Sequence, residues 1–231
     1  MTKKILVLSS SFRKGGNSDT LCDQFVKGAV EAGHQVEKIF INDKKIGYCH
    51  GCGVCNTTHK CVLHDDMAEI LDKMVQADVI VMATPVYFYS MNGQMKTLID
   101  RTVPRYEEIA GKDFYFIVAA ADSDRANMEK TLETFRGFTE DCLPDAHEKG
   151  VIYGTGAWQI GDIKSSPAME EAYQAGRNAQ VFLFILRPSP AGFPSGRVLL
   201  DTISQMLPYI GYPRSLNGIA AINDITKDKT N

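Results

Sequence analysis

Short, wholly apolar runs take turns with helical-period segments five times along the first 186 residues. That rhythm limits the fold more than any single motif does. Ile5–Leu8 is a continuous apolar run, the mark of a strand buried on both faces. A polar loop, Ser9–Gly16, follows. Asn17 or Ser18 is then placed to cap a helix bearing Leu21, Phe25 and Ala29 four apart, closed by Gly33. Val36–Ile41 alternates as a strand. Asp65 or Asp66 heads a helix with Met67, Ile70, Leu71, Met74 and Val75 on one face. Val79–Ala83 is the third strand, ending at Thr84-Pro85 because proline cannot continue a central ladder. A helix from Gly93 carries Met95, Leu98 and Ile99 inward. Phe114–Ala121, a helix over 124–141, the short strand Gly150–Tyr153 and a helix over 168–186 complete the series. Such alternation specifies an α/β architecture, a five-stranded parallel sheet with helices on both faces. Ligands then bind at the carboxyl ends of the strands.

The chain of 231 residues is long enough for one full core plus an appendage. The expected division is a main domain over 1–186, a linker over 187–196 and a helical hairpin over 197–231. The linker reads RPSPAGFPSG, with three prolines and two glycines. The hairpin is too small to bury a core alone. It is expected to pack on the main domain or on another copy, giving a homodimer or tetramer.

Charge excludes some partners. Lys plus Arg is 25 and Asp plus Glu is 28, a net of −3, so no basic excess exists to hold nucleic acid. The apolar runs Val79–Ala83 and Val181–Leu186 fall far short of the ~20 residues that span a bilayer. Ile5–Leu8 is too short for the apolar core of a signal peptide. A cytoplasmic location is expected.

Three loops carry the groups for chemistry. The first, Ser9-Ser10-Ser11-Phe12-Arg13-Lys14-Gly15-Gly16-Asn17-Ser18, joins hydroxyls and a guanidinium to the amides of a helix N-terminus. Those suit a phosphate monoester. The loop lacks both the G-x-G-x-x-G and the G-K-[ST] patterns. The second, Thr84–Gly93, sets Tyr87, Phe88 and Tyr89 at a strand end, either as a platform for a planar ring or as a core cluster. The third, Ala120-Ala121-Asp122-Ser123-Asp124, is small and polar enough to close over a ring. Four of six cysteines, Cys49, Cys52, Cys55 and Cys61, form a C-x2-C-x2-C-x5-C run that suits an iron–sulfur cluster, a zinc ion or a set of free thiols. His50, His59 and His64 read as exposed neighbours. Cys22 and Cys142 read as small core residues.

The stretches SSSFRKGGNSDTL, CHGCGVCNTTHKCVLHDDM, ATPVYFYSMNGQMKTLIDR and GAWQIGDIKSSPAMEEAYQAGRNA together resemble the NADPH-dependent FMN reductase family of the flavodoxin-like superfamily, above all its iron–sulfur flavoproteins. The resemblance implies a flavodoxin-like fold and an FMN-dependent oxidoreductase. It places Ser9, Ser11, Arg13, Asn17 and Ser18 at the flavin phosphate. Pro85, Val86, Tyr87 and Phe88 would line the ring, with Ala121 and Asp122 closing over it. Tyr87 would stand near the reactive edge, and Cys49, Cys52, Cys55 and Cys61 would hold a 4Fe–4S cluster. Electrons would come from NAD(P)H or a ferredoxin and leave to a quinone, a second flavin or a protein. A non-enzymatic carrier like flavodoxin is the alternative; a zinc-stabilised interaction module is a third. A short stretch, Gln205–Asn217, is similar to the end of carboxymuconolactone decarboxylases. The rest of that domain has no counterpart here, so no activity follows from it.

Overall fold

The computed structural model describes residues 1–179; the 187–196 linker and the 197–231 hairpin lie outside the described residues. Five strands, β1 (Lys4–Ser9), β2 (Gln35–Phe40), β3 (Val79–Pro85), β4 (Asp113–Ala119) and β5 (His147–Gly154), form one parallel sheet in the order β2-β1-β3-β4-β5. The helices between and after them are α1 (Asn17–Glu31), α2 (Cys55–Thr58), α3 (Met67–Gln76), α4 (Gly93–Asp100), α5 (Glu129–Thr139) and α6 (Ala168–Arg177). The period-2 geometry of each strand sends alternate residues to opposite faces. Leu6, Leu8, Ile80, Met82, Phe114 and Phe116 meet α3, α4 and α5, while Ile5, Val7, Val79, Val81, Tyr115 and Ile117 meet α1 and α6. On the first face Phe116 stacks on Phe135 with centroids 4.8 Å apart; on the second Phe25 meets Tyr115 edge-on at 5.2 Å.

Helices α1 and α6 cross where neither backbone can tolerate a side chain. A Cβ on Gly28 would lie 2.0 Å from the Tyr173 carbonyl oxygen, and one on Gly176 would lie 2.1 Å from that of Phe25.

The structure corrects several boundaries. The N-cap of α1 is Gly16, without a side-chain cap bond, and Asn17 is already helical. Its amide side chain serves a distant loop instead. Gly33, with φ of 85°, does follow the helix end. The third strand keeps Thr84 and Pro85, paired with Val118 and Ala119. Proline is tolerated because it is the last rung; the next amide, Val86, donates to the Ala119 carbonyl at 2.8 Å. The helix expected over 124–141 begins as a 3-10 turn, Arg125–Met128, before α5. Helix α5 ends at Thr139, so Cys142 lies beyond it and is exposed, whereas Cys22 is wholly buried as expected. Helix α6 stops at Arg177, with Asn178 at its C-cap, short of the expected 186.

Candidate functional site

Strand order reverses between β1 and β3, so their two loops diverge and leave a crevice. The first wall is the Ser9–Ser18 loop. Much of its polarity turns inward. Ser9 Oγ donates to Asp19 Oδ1 at 2.7 Å, and the Gly15 amide donates to Asp19 Oδ2 at 2.9 Å. Ser11 Oγ donates to the Arg13 carbonyl at 2.9 Å and accepts from the Arg13 amide at 3.2 Å. Ser9 and Ser11 therefore brace the turn with their hydroxyls. Asn17 does likewise at long range: its Nδ2 donates to the Gln159 carbonyl at 2.9 Å, and its Oδ1 accepts from the Gly161 amide at 3.2 Å.

What remains for a ligand is specific. The first-turn amides of α1 have no intrahelical acceptor. Ser18 lies in this first turn, 2% exposed, and Arg13 lies in the loop that leads into it. Lys14 is engaged with Asp43 at 2.6 Å, but among the described residues Arg13 makes no ion pair, only a long hydrogen bond, 3.4 Å, to the Trp158 carbonyl. A Cβ on Gly16 would sit 2.8 Å from both Ser11 Oγ and the Arg13 carbonyl oxygen, so the cradle closes only around glycine. The donors, amides with a guanidinium and a hydroxyl, fit a phosphate dianion.

The second wall is a four-residue turn. Tyr87 and Ser90 exchange both backbone hydrogen bonds at 3.0 Å, and between them Phe88 and Tyr89 have φ of 50° and 58°. Two successive positive φ values define a type I′ turn, which favours Asn and Gly. Aromatic residues there store strain of about 1–3 kcal/mol each. Phe88 is fully exposed, and Tyr87 and Tyr89 are about half exposed, so the turn is a surface platform and the core-cluster alternative fails. Pro85 and Val86 are half-buried; the Val86 side chain packs on the core, and its amide is already given to the Ala119 carbonyl.

Asp122 anchors the third loop. Its Oδ1 accepts from the Asp124 amide at 2.9 Å, its Oδ2 from Asn127 Nδ2 at 2.9 Å and from the Tyr89 hydroxyl at 3.5 Å. The Asp124 amide holds its carboxyl below the usual range; burial opposes it, and Asn127 and Tyr89 add to the lowering. Ala121 is exposed at the rim. The two aromatic and polar loops are thus tied together.

Sequence reasoning missed a fourth wall. After β5, the loop holding Trp158 and Ile160 stands exposed beside the first loop, joined to it through Asn17 and Arg13. A lone tryptophan just past a strand end was the available signal. Asn92 was also missed: it caps α4 by accepting from the Met95 amide at 3.1 Å while its Nδ2 reaches the Ser10 carbonyl at 2.5 Å.

The cysteine run occupies a separate loop whose neck is closed by protein groups. Arg101, at the end of α4, is 2% exposed. It donates to the Gly47 carbonyl at 2.6 Å and grips both Asp65 oxygens, at 2.7 and 3.0 Å, while Asp65 Oδ2 also accepts from the Gly47 amide at 2.9 Å. Burial raises the Asp65 carboxyl, but Arg101 and the Gly47 and Met67 amides outweigh it and hold it low. Past the neck, Gly51, Gly53 and His59 all adopt positive φ, coiling the loop tightly. Cys49, Cys52, Cys55 and Cys61 border one cavity of about 230 Å³. Among the described residues no three His, Cys, Asp or Glu side chains converge at metal-binding separation. Even so, four soft thiols around one cavity suit an iron–sulfur cluster better than a hard cation. His50, His59 and His64 are exposed, as expected.

Sheets of order 2-1-3-4-5 take a flavin mononucleotide at the β1/β3 switch point. With these walls around that point, the molecule is a flavodoxin-like flavoprotein. A family model for NADPH-dependent FMN reductase matches residues 3–137, and the chain belongs to that family. It is accordingly an oxidoreductase that uses FMN and NAD(P)H. The iron-sulfur flavoprotein MJ1083 of Methanocaldococcus jannaschii is 39% identical over 189 residues, 75% of this chain and 94% of that protein. An iron-sulfur flavoprotein of Archaeoglobus fulgidus is 41% identical over 101 residues, 44% of this chain and 46% of that protein, so that match spans about half the relative's length. In fold, the chain is similar to an NAD(P)H:quinone oxidoreductase from Methanothermobacter marburgensis, with a TM-score of 0.61 at 16% identity over 78% of this chain and 98% of that one. No described helix is long and apolar enough to cross a membrane.

Proposed function

We propose that the protein passes reducing equivalents from a reduced nicotinamide, through FMN, to a quinone, a second flavin or a redox protein. One observation carries the reading. An exposed aromatic turn, held in left-handed backbone, stands across the β1/β3 crevice from a helix terminus ready for an anion.

When bound, FMN supplies the hydride and electron chemistry. The chain holds and orients it. Arg13, the first-turn amides at Asn17 and Ser18, and the Ser18 hydroxyl take the phosphate, with Ser9 and Ser11 as braces. Pro85, Val86, Tyr87 and Phe88 line the ring; Ala121 and Asp122 close the far side. Tyr87 is the candidate for the residue at the reactive edge, its hydroxyl free to donate a hydrogen bond there. The exposure of the turn leaves the second reactant room to approach.

We further propose that Cys49, Cys52, Cys55 and Cys61 hold a 4Fe–4S cluster that relays single electrons to the acceptor. The shared cavity and the names of the relatives support this. The test is anaerobic. FMN-loaded protein mixed with NADPH or NADH should lose its visible flavin band, and re-oxidation by a quinone should restore it. A band that neither nicotinamide bleaches would sink the reductase reading. Iron and acid-labile sulfide near four per chain support the cluster; zinc or no metal in anaerobic protein removes it.

A further inference from the structure

The phosphate loop is built over a buried carboxylate. Asp19, in the first turn of α1, is 5% exposed and ties the loop together through Ser9 and Gly15. Its fixed negative charge lies in the same turn whose amides face the crevice. A helix N-terminus favours negative charge, so Asp19 and an incoming phosphate compete for the same field.

One cation answers it. Lys38, on β2, projects to the face that packs on α1, two residues beyond Val36. Its Nζ lies 2.7 Å from Asp19 Oδ1 and 2.6 Å from Asp23 Oδ1, and donates to the Asp19 carbonyl at 3.4 Å. Burial pushes the Asp19 carboxyl up, but Lys38, the Gly15 amide and Ser9 outweigh it, so the group stays ionised. Neither cation of the loop replaces Lys38: Lys14 pairs with Asp43, and Arg13 points to Trp158.

We infer that Lys38 is a positioning residue for the FMN phosphate, neutralising Asp19 so that this carboxylate shapes the loop without repelling the dianion. The inference rests on reading the Ser9–Ser18 loop as the phosphate cradle. Its signature is selectivity, because the ring and ribityl chain of riboflavin carry no charge.

The experiment compares FMN and riboflavin dissociation constants, by quenching of flavin fluorescence, on deflavinated full-length protein. Wild type should prefer FMN. Lys38→Met should lose about tenfold of that preference, with riboflavin affinity unchanged. The double variant Asp19→Asn/Lys38→Met should regain it, since the uncharged side-chain amide placed there would still accept from the Gly15 amide. An unchanged FMN-to-riboflavin ratio in Lys38→Met overturns the inference, as does equal weakening of both ligands, which marks a merely structural role. A lost preference that Asp19→Asn fails to restore overturns it too. A wild type that binds both flavins equally refutes the cradle itself, a distinct outcome.

Discussion

The side-chain amide of Asn92 hydrogen-bonds the backbone carbonyl of Ser10 at 2.5 Å, linking the aromatic loop to the phosphate loop across 82 residues of sequence. The same side chain caps α4, and the Asn92 amide donates to Thr84 Oγ1 at 3.0 Å. Both walls of the crevice are held at one buried point. Asn92→Ala removes the cap and strands the Ser10 carbonyl, which should cost about 2–3 kcal/mol. Urea unfolding measures the cost, and flavin affinity should fall with it. A variant of wild-type stability would show that the link is slack.

Asp65 makes the acid limb of stability. Burial raises its carboxyl; Arg101 and two amides overcome that and hold it, like Asp19, below the ordinary 3.8. A group depressed in the folded state contributes stability that is complete above its unfolded value and lost as pH falls through the folded one. The Asp65 contribution should therefore be complete near neutrality and fall away below about pH 3.8. Asp65→Asn should cost roughly 2–3 kcal/mol at pH 7, below the full range for a broken buried pair because Asp65 keeps some contact with water. It should also flatten the acid limb. Unfolding curves at neutral and acid pH decide this, and an unchanged acid slope contradicts it.

Phe88 and Tyr89 trade stability for position. Phe88→Asn with Tyr89→Gly installs the residues a type I′ turn prefers and should raise stability by about 1 kcal/mol. The same change removes the platform and should weaken FMN binding about tenfold. Thermal melting of the flavin-free protein and flavin titration read the two effects separately. Phe88→Asn alone keeps the Tyr89–Asp122 hydrogen bond, and a melting point that falls in that variant would mean the left-handed turn carries no strain at Phe88.

The thiols should separate into classes. Burial pushes the Cys22 thiol up to about 12, leaving it inert. In metal-free native protein a thiol reagent should modify five of the six cysteines and reach Cys22 only in denaturant. Cys52→Ser should abolish iron uptake while leaving FMN content and melting temperature nearly unchanged, because Cys52 is exposed and the Gly47, Asp65 and Arg101 bonds hold the neck of the loop. Rapid modification of Cys22 in the native state would refute the burial argument.

Much of this architecture is legible in the chain because the signals are local. Apolar runs such as Val79–Ala83 and the four-residue spacing of Leu21, Phe25 and Ala29 fix the layers, and strand ends then locate the loops. Composition also marks the loops themselves. What those loops do with their polar groups is not local. Asn17 reads as a cap, yet its partners at Gln159 and Gly161 lie more than 140 residues away. Ser9 reads as a ligand but spends its hydroxyl on Asp19, and nothing in the alternation of Val36–Ile41 singles out Lys38 as the partner of that carboxylate. Spacing reveals which residues share a face; only the packed structure reveals which hydroxyl is already taken.

The clasp of Gly47, Asp65 and Arg101 bounds the cysteine segment at both ends, Gly47 on entry and Asp65 on exit. Sequence between those two residues can change in length or composition while the clasp and the five strands stay in place.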